Sequence, residues 1–456
     1  MNATSPAAAP SAIAPGQEAP LLRPMLVTGR AYKHMVILLT GVISWGAFCF
    51  VYQGFIGLGL TGLRRPVFWA FFITDFVFWI GISHAGTLIS AILRLSSASW
   101  RYPVTRAAEA ITVFALGIGG VFPIVHLGRP WLFFWLAPYP SVRMIWPNFR
   151  SPLEWDFFAI STYITGSALY LFLPMLPDLA LARDRSQGWR HRLYRFLAMS
   201  WQGTQQQWHR LELAIQLMAA VVIAIAVSVH TIVSWDFSMA IVPSWHSTIF
   251  GPYFVAGAIF SGIAALILIM AILRRVYHLE DYLQPKHFNN LAKLLLTMTL
   301  LWGYFVFAES ITTWYGNLPA EMPAFWSKIS GHYAPLFWAM VLCNFVIPFP
   351  ILAIKRLRTI TGMVIASITI LIGMWLERFL IVVPGAATQR FAFDNWYGYF
   401  PHWTEISISL ATLAAMALLY MVFSKLFPII SIWDVVGQAP APTGEGIAEP
   451  GPGGAP

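Results

Sequence analysis

Long apolar stretches alternate with short polar segments along most of the chain. Ten of these stretches have about 20 residues or more, the length that a helix needs to cross about 30 Å of hydrocarbon. They begin near His34, Val67, Thr105, Trp155, Leu211, Ile249, Phe288, His332, Ile360 and Ile406 and end, in the same order, near Leu60, Leu95, His126, Leu181, Trp235, Leu273, Thr313, Ile354, Val383 and Leu426. The pattern predicts an all-α polytopic membrane protein with ten transmembrane helices.

The two ends of the chain differ in composition from the apolar region. Residues 1–33 are rich in Ala and Pro, and residues 435–456 are rich in Pro, Gly and Ala. Such segments bury too little apolar surface to fold, so we expect disordered tails around a transmembrane domain at residues 34–434. The first segment does not have the order of a signal peptide, because Arg30 and Lys33 directly precede a span of full length.

Charged residues are too scarce for a water-soluble enzyme of this size. Asp, Glu, Lys and Arg make up 10% of the 456 residues, whereas soluble domains contain about 25%. The net charge of +9 comes from basic residues dispersed between the apolar stretches, which indicates membrane topology rather than nucleic-acid binding. Most of the 28 Lys and Arg residues lie on the side of the two termini, so we predict cytoplasmic termini in a bacterial inner membrane.

The cysteines exclude several kinds of redox centre in this chain. Cys49 and Cys343 are the two cysteines of the sequence, and both lie in apolar stretches. No C-x-x-C or C-x-x-C-H motif occurs, so we expect neither a covalently attached haem nor a cysteine-ligated iron–sulfur cluster in this protein. The sequence also predicts no metal site.

Ionisable residues inside the spans are costly and tend to mark sites or pathways. His126 ends the third span, Asp156 begins the fourth and Asp236 ends the fifth, so all three lie at the outer edge of the membrane. An imidazole and carboxylates at such an edge can take protons from a lipid-soluble donor such as a quinol and release them to water. These three are the predicted catalytic residues, although His126 and Asp156 could instead only stabilise helix ends.

A second set of ionisable residues is predicted to bind quinol or to form a proton path. It comprises Asp75, His84, His230, Glu309, Glu377 and Arg378. Counting along the spans places His84 in the inner half of the membrane and the others toward the outer face. Glu377 and Arg378 are adjacent and could instead form a structural ion pair.

The second and sixth spans share a pattern. The stretch from His84 to Arg94 and the stretch from Phe260 to Arg275 both carry small residues midway and the sequence Ile-Leu-Arg near their inner ends. Unless this likeness is convergent, it indicates a parallel repeat of four helices. We therefore expect one four-helix bundle of helices 2–5 at about 67–235 and another of helices 6–9 at about 249–383, with helices 1 and 10 peripheral.

Several motifs resemble those of one membrane-protein family. They are FWIGISHAGTLIS at 78–90, HLGRPW at 126–131, SPLEWD at 151–156, Trp235-Asp236, WHSTIFGPYFV at 245–255, Glu309 with WYGN at 314–317, and MWLERF at 374–379. Over about residues 30–435 the chain resembles the NrfD/PsrC family of polytopic quinol-interacting subunits. Within that family it is most similar to the ActC component of bacterial alternative complex III.

The resemblance implies a function and a set of partners. It implies a quinol site at the periplasmic side of the first bundle, formed by His126, Asp156 and Asp236, with quinol or menaquinol as the substrate. Electrons would pass to an iron–sulfur subunit and then to multihaem and monohaem cytochrome c subunits, and a homologous NrfD-like subunit would share the bilayer. Proton translocation could accompany this reaction. Two alternatives remain, a secondary transporter and a passive membrane anchor of a molybdopterin-type oxidoreductase.

Overall fold

The computed structural model describes residues 19–64, 66–136, 152–388 and 398–436. Within these ranges, ten helices are long and apolar enough to cross a membrane. In chain order they are α1 Arg30–Ile56, α2 Phe71–Leu95, α3 Thr105–His126, α4 Pro152–Asp184, α5 Gln205–Ser238, α6 Phe250–Val276, α7 Pro285–Gly316, α8 Ala334–Ala353, α9 Ile360–Ala387 and α10 Trp403–Leu426. The prediction of an all-α membrane protein with ten transmembrane helices is confirmed.

Helices α3, α4 and α8 are interrupted. α3 is helical over Thr105–Gly119 and again over Phe122–His126, so its last turn is a separate short segment. α4 contains a 3₁₀ turn at Leu173–Met175, and α8 contains a π-helical turn at Leu342–Val346. A proline lies at or beside each interruption, where it removes a backbone N–H donor. These prolines are Pro123, Pro174 and Pro348.

The helices pack as two rings. In the first ring α2 packs against α3, α3 against α4, α4 against α5, and α5 returns to α2; α6 to α9 form a second ring in the same way. The rings meet where α2 contacts α6 and α9, and where α5 contacts α6. α1 packs along α10 outside both rings. This is the predicted arrangement of two four-helix bundles with two peripheral helices.

Small residues allow the closest helix contacts. A Cβ atom on Gly46 of α1 would collide with the side chain of Ala411 on α10. A Cβ atom on Gly86 of α2 would collide with the backbone carbonyl of Ala108 on α3. These two contacts hold the peripheral pair and the first bundle at short range.

The N-terminal segment is ordered further than its composition predicts. Residues Ala19–Leu26 form a short helix, and Lys425 near the end of α10 contacts its last turn and the residue after it. The Lys425 Nζ atom donates hydrogen bonds to the carbonyls of Pro24 at 2.5 Å and Val27 at 2.6 Å. The start of α1 and the end of α10 therefore share one side of the membrane, which we call the terminus side. Residues 1–18 and 437–456 of the predicted tails lie outside the described residues.

Candidate functional site

Two of the predicted catalytic residues form a buried carboxyl pair. Asp156 lies in the first turns of α4 and Asp236 in the last turn of α5, and each is 7% exposed. Their carboxyl groups lie within hydrogen-bonding reach of each other, and a hydrogen bond between them requires one carboxyl to hold a proton. The Oδ1 atom of each residue is buried and has no hydrogen-bond partner within the described ranges. The pair therefore has acceptor atoms left for a ligand.

Aromatic side chains flank this pair. Trp155 and Trp235, the residues before the two aspartates, have ring centroids 6.0 Å apart with nearly perpendicular planes. Phe237 follows Asp236 and packs on Trp69 at 5.7 Å and on Trp245 at 5.2 Å. Apolar walls with a few polar groups are typical of sites for small organic ligands.

His126 lies at the same membrane edge but is not bonded to the pair through Nδ1. It is the last residue of α3, where Gln53 of α1 holds the preceding turn by donating to the Val125 carbonyl at 3.1 Å. The Nδ1 atom of His126 is buried without a hydrogen-bond partner among the residues that the structure describes. The structure thus joins Asp156 to Asp236 and leaves a ring nitrogen of His126 free for a further group.

His84 and His230 meet in the interior of the first bundle. Their ring centroids are 4.5 Å apart, and the ring of Tyr163 on α4 lies 4.6 Å from that of His84. His84 Nδ1 lies 2.6 Å from the carbonyl of Ile80, so Nδ1 carries the hydrogen in the neutral ring. Counting along the spans places His84 in the inner half of the membrane and His230 toward the outer face, whereas the structure brings their rings into contact. His230 lies eight residues before the end of α5, which is about 12 Å, and this brings it down to the level of His84.

Glu377 and Arg378 form a buried ion pair that joins three helices. Arg378 Nη1 donates to Glu377 Oε2 at 2.8 Å, and the two side chains are 2% exposed. The Glu377 Oε1 atom accepts hydrogen bonds from Trp302 Nε1 of α7 at 2.6 Å and from the Tyr253 hydroxyl of α6. The two residues therefore do form the ion pair that the sequence suggested as one interpretation. The Arg378 guanidinium also lies 5.1 Å from the ring of Phe254.

Phe254 lies between the His84–His230 pair of the first bundle and the Glu377–Arg378 ion pair of the second. Its ring centroid is 5.9 Å from that of His230 and lies under the Arg378 guanidinium. The ionisable residues of the two bundles are therefore separated by a single aromatic ring.

Glu309 lies on α7 beside a small polar cavity. Its Oε2 atom accepts a hydrogen bond from Ser247 at 2.7 Å. Glu309, Glu377, Tyr253 and Lys328 line the same cavity of about 70 Å³, which is large enough for about two water molecules. Burial lowers the pKa of Lys328, and the nearby Glu309 opposes this shift.

Asp75 has a structural environment of its own. Its carboxyl accepts hydrogen bonds from Trp375 Nε1 of α9 at 2.7 Å and from the Ser409 hydroxyl of α10. It does not join the Asp156–Asp236 pair but links α2 to both neighbouring helices.

Sequence reasoning missed three residues of this interior, namely Tyr163, Trp302 and Glu405. Tyr163 follows Asp156 by seven residues and Trp302 precedes Glu309 by seven, a spacing that places each pair on one helix face and could have identified them. Glu405 is fully buried at the start of α10, where it accepts hydrogen bonds from the Tyr399 hydroxyl at 2.6 Å and the Gly62 amide at 2.7 Å.

The described residues contain no group of three or more His, Cys, Asp or Glu side chains that could hold a metal ion. Cys49 is buried on α1 and Cys343 is half-buried on α8.

Comparison with known proteins gives relatives that align along most of their length. The chain is 25% identical over 437 residues to a protein of Halobacterium salinarum assigned as a dimethyl sulfoxide reductase membrane subunit, covering 90% of this chain and 94% of the relative. It is 24% identical over 426 residues to the Hdr-like menaquinol oxidoreductase integral membrane subunit of Archaeoglobus fulgidus, covering 88% and 94%. It is 22% identical over 400 residues to a selenate reductase subunit of Mesobacillus selenatarsenatis, covering 84% and 91%.

The family match spans both bundles. Residues 59–390 match the family described as polysulphide reductase, NrfD. That range runs from before α2 to the end of α9 and contains the carboxyl pair, the two histidines and the Glu377–Arg378 ion pair. The chain is therefore a polytopic integral membrane protein that belongs to the NrfD family.

Proposed function

We propose that this chain is the quinol-oxidising membrane subunit of a multisubunit quinol oxidoreductase. The observation that carries the proposal is the carboxyl pair of Asp156 and Asp236, buried at one edge of the membrane among aromatic rings with an acceptor oxygen free on each side chain. A quinol reaches such a place through the lipid, and its hydroxyl groups need acceptors before electrons can leave.

The residues divide the proton transfer between them. Oxidation of one quinol to quinone releases two protons and two electrons. A free carboxylate oxygen of the Asp156–Asp236 pair accepts a hydrogen bond and then a proton from one hydroxyl, and His126 accepts the other. The shared proton of the pair lets one carboxyl remain ionised in an apolar surrounding, because two adjacent charges are avoided. Both protons then pass to water on the side opposite the termini.

The two electrons go to partner subunits. The sequence holds no cysteine motif for a haem or a cluster, so an iron–sulfur subunit is the proposed acceptor. The name of the Archaeoglobus fulgidus relative includes menaquinol, which supports menaquinol as the substrate here.

More specifically, we propose that this chain is the ActC component of an alternative complex III in a bacterial inner membrane. Its partners would then be the iron–sulfur subunit, multihaem and monohaem cytochrome c subunits and a homologous NrfD-like subunit. The basic residues at the terminus side favour cytoplasmic termini.

The second candidate is the membrane subunit of a molybdopterin-type reductase, favoured by the relatives named for dimethyl sulfoxide and selenate reductases. Purification of the complex distinguishes these candidates, because c-type haem absorbance is expected for the first and bound molybdenum for the second.

A proton path through the interior is a further part of the proposal. From the side opposite the termini it would use Glu309, Glu377, His230 and His84 in that order, with the Arg378 guanidinium as a fixed positive charge beside Glu377. Glu309 and Glu377 share a cavity, and the rings of His230 and His84 are in contact. Toward the terminus side the series continues at Glu109, whose Oε1 atom accepts a hydrogen bond from Ser90 at 2.5 Å.

The central test replaces one carboxyl at a time in the purified complex. Asp156→Asn and Asp236→Asn each remove a proton acceptor at nearly constant volume, and we expect quinol oxidation to fall by about 10²-fold or more. The control is Asp184→Asn at the other end of α4, a side chain that is 63% exposed. Full activity in both Asp156→Asn and Asp236→Asn would refute the catalytic role of the pair. The passive membrane anchor would then be the remaining interpretation.

The path has its own test. Glu309→Gln keeps a group that can hydrogen-bond Ser247 but cannot carry a proton, so proton transfer into vesicles should stop while quinol oxidation continues. Unchanged proton transfer in Glu309→Gln would remove this residue from the path.

A further inference from the structure

A deep crevice lies in the terminus-side half of the membrane, remote from the carboxyl pair. It has a volume of about 820 Å³ and runs between the α1/α10 pair on one side and α2, α6 and α9 on the other. Its wall is mainly apolar, and Leu39, Trp79, Leu268, Ile272 and Met416 are among its lining residues. We call it the terminus-side crevice.

The length of the crevice matches one leaflet of a bilayer. Along α6 its lining extends from Ala265 to Tyr277 at the end of the helix. Twelve residues of helix rise about 18 Å, and half of the hydrocarbon core is about 15 Å thick. An acyl chain that entered from this surface would fill the crevice along its length.

Basic groups surround the mouth of the crevice. Arg23, His278 and Lys425 line it there, and Lys425 lies over the ring of Tyr32 at 4.7 Å. The two carbonyl contacts of Lys425 carry no full negative charge and leave one of its three N–H donors available. Arg190 lies close by, since its Nη1 atom donates to the Met25 carbonyl at 3.2 Å.

Among the residues that the structure describes, the acidic side chains next to the crevice lining in sequence lie on the α6 side of the mouth. Glu280 and Asp281 follow His278 in the loop after α6. The cations on the α10 side are therefore the ones available to an anionic group.

The polar atoms of the wall already have partners. The Tyr32 hydroxyl donates to the Met421 carbonyl at 3.2 Å, and the Tyr277 hydroxyl is 2.6 Å from Ser424 Oγ. Trp79 Nε1, at the deep end, donates to Thr412 Oγ1 at 3.1 Å. A quinone head group placed at the deep end would have its carbonyl oxygens buried without partners, which is costly. An acyl chain has no such need.

We propose that the terminus-side crevice binds an anionic glycerophospholipid. Its acyl chain occupies the apolar wall, and its phosphate lies at the mouth between Lys425 and Arg23. The bound lipid would fill the space between the peripheral helix pair and the two bundles.

The test measures lipid retention by the full chain in its complex. The detergent-solubilised complex is incubated with equal amounts of phosphatidylglycerol and phosphatidylcholine, and bound lipid is counted by native mass spectrometry. We expect retained phosphatidylglycerol in preference to phosphatidylcholine. Absence of that preference, or retention of menaquinone in the crevice in place of lipid, would overturn the proposal.

Two variants locate the bound lipid. Ala417→Phe adds a ring to a lining residue of α10, whereas Leu410→Phe changes an exposed residue of the same helix outside the crevice. Loss of the lipid in the first variant alone supports the site, and equal retention in both contradicts it. Ala31→Phe on the α1 wall is the second filling variant, in case the first fails to fold.

A charge variant tests the mouth. Arg23→Gln should lower the preference for phosphatidylglycerol by about fivefold, the effect of one basic residue on an anionic lipid. Arg275→Gln, at the end of α6 and outside the crevice lining, is the matched control. An equal change in both variants would show that the preference for phosphatidylglycerol comes from the general surface charge, and it would refute the proposed phosphate position.

Discussion

The Glu377–Arg378 pair gives the sharpest prediction about stability. In Glu377→Gln the amide can keep one oxygen acceptor for Trp302 and Tyr253, but it cannot balance the charge of Arg378. Arg378 is 2% exposed, so its charge would stay buried without a counter-ion. Removing one partner of a buried ion pair costs about 3–5 kcal/mol, or a factor of about a hundred or more in the folding equilibrium.

The assay is thermal unfolding of the detergent-solubilised protein, followed by tryptophan fluorescence at one scan rate. Asp184→Asn is the control, because it breaks an ion pair with Arg183 in which the aspartate is 63% exposed. Such surface pairs contribute about 0–1 kcal/mol. We therefore expect a large loss of thermal stability in Glu377→Gln and little change in the control.

A double variant tests the reason for the loss. Glu377→Gln combined with Arg378→Met leaves no unpaired charge, so it should be more stable than Glu377→Gln alone. If Glu377→Gln unfolds like the Asp184→Asn control, or if the double variant is less stable than the single one, an uncompensated charge is not the cause.

Two further predictions concern contacts of α9 with its neighbours. Gly257→Ala should destabilise the protein by about 1–3 kcal/mol, because a Cβ atom there would lie 2.6 Å from Arg378 Nη2, whereas Gly41→Ala has open space and should not; equal unfolding of the two variants would contradict this. Trp375→Phe removes the indole donor to Asp75, so it should lower the thermal midpoint by an amount equivalent to about 1 kcal/mol, and an unchanged midpoint would show that this bond contributes nothing.

The number and position of the transmembrane helices could be predicted because a bilayer sets a minimum length of apolar sequence. Helix ends beyond the apolar region were harder to predict. α5 begins at Gln205, before the apolar stretch near Leu211, because Thr204 caps it by accepting a hydrogen bond from the Gln207 amide at 3.3 Å. The cap depends on local polar residues that a count of apolar residues ignores.

The carboxyl pair could be anticipated in part from depth alone. Asp156 begins one helix and Asp236 ends the next, and consecutive transmembrane helices run in opposite directions, so the two residues lie at the same edge. The meeting of His84 with His230 does not follow from grouping His230 with the outer end of α5, because His230 lies eight residues, or about 12 Å, before that end. The depth of a residue has to be counted with the rise per residue of its helix.

The hydrogen-bond partners of Asp75 could not be predicted from the sequence of its own span. Trp375 and Ser409 lie 300 and 334 residues away in sequence. Their contact depends on the rotation of three helices about their axes, and the low amphipathicity of membrane helices leaves that rotation undetermined by hydrophobic pattern.

The pairing of the first helix with the last has a consequence for biogenesis. α1 packs along α10, and Trp45 Nε1 of α1 bonds Ser407 of α10 across 362 residues of sequence. At about 5–20 residues per second, the ribosome needs roughly 20 to 70 s to synthesise the partner. During that time α1 must reside in the bilayer with its Gly46 surface uncovered, so it is the helix on which an insertion chaperone or a premature contact would act first.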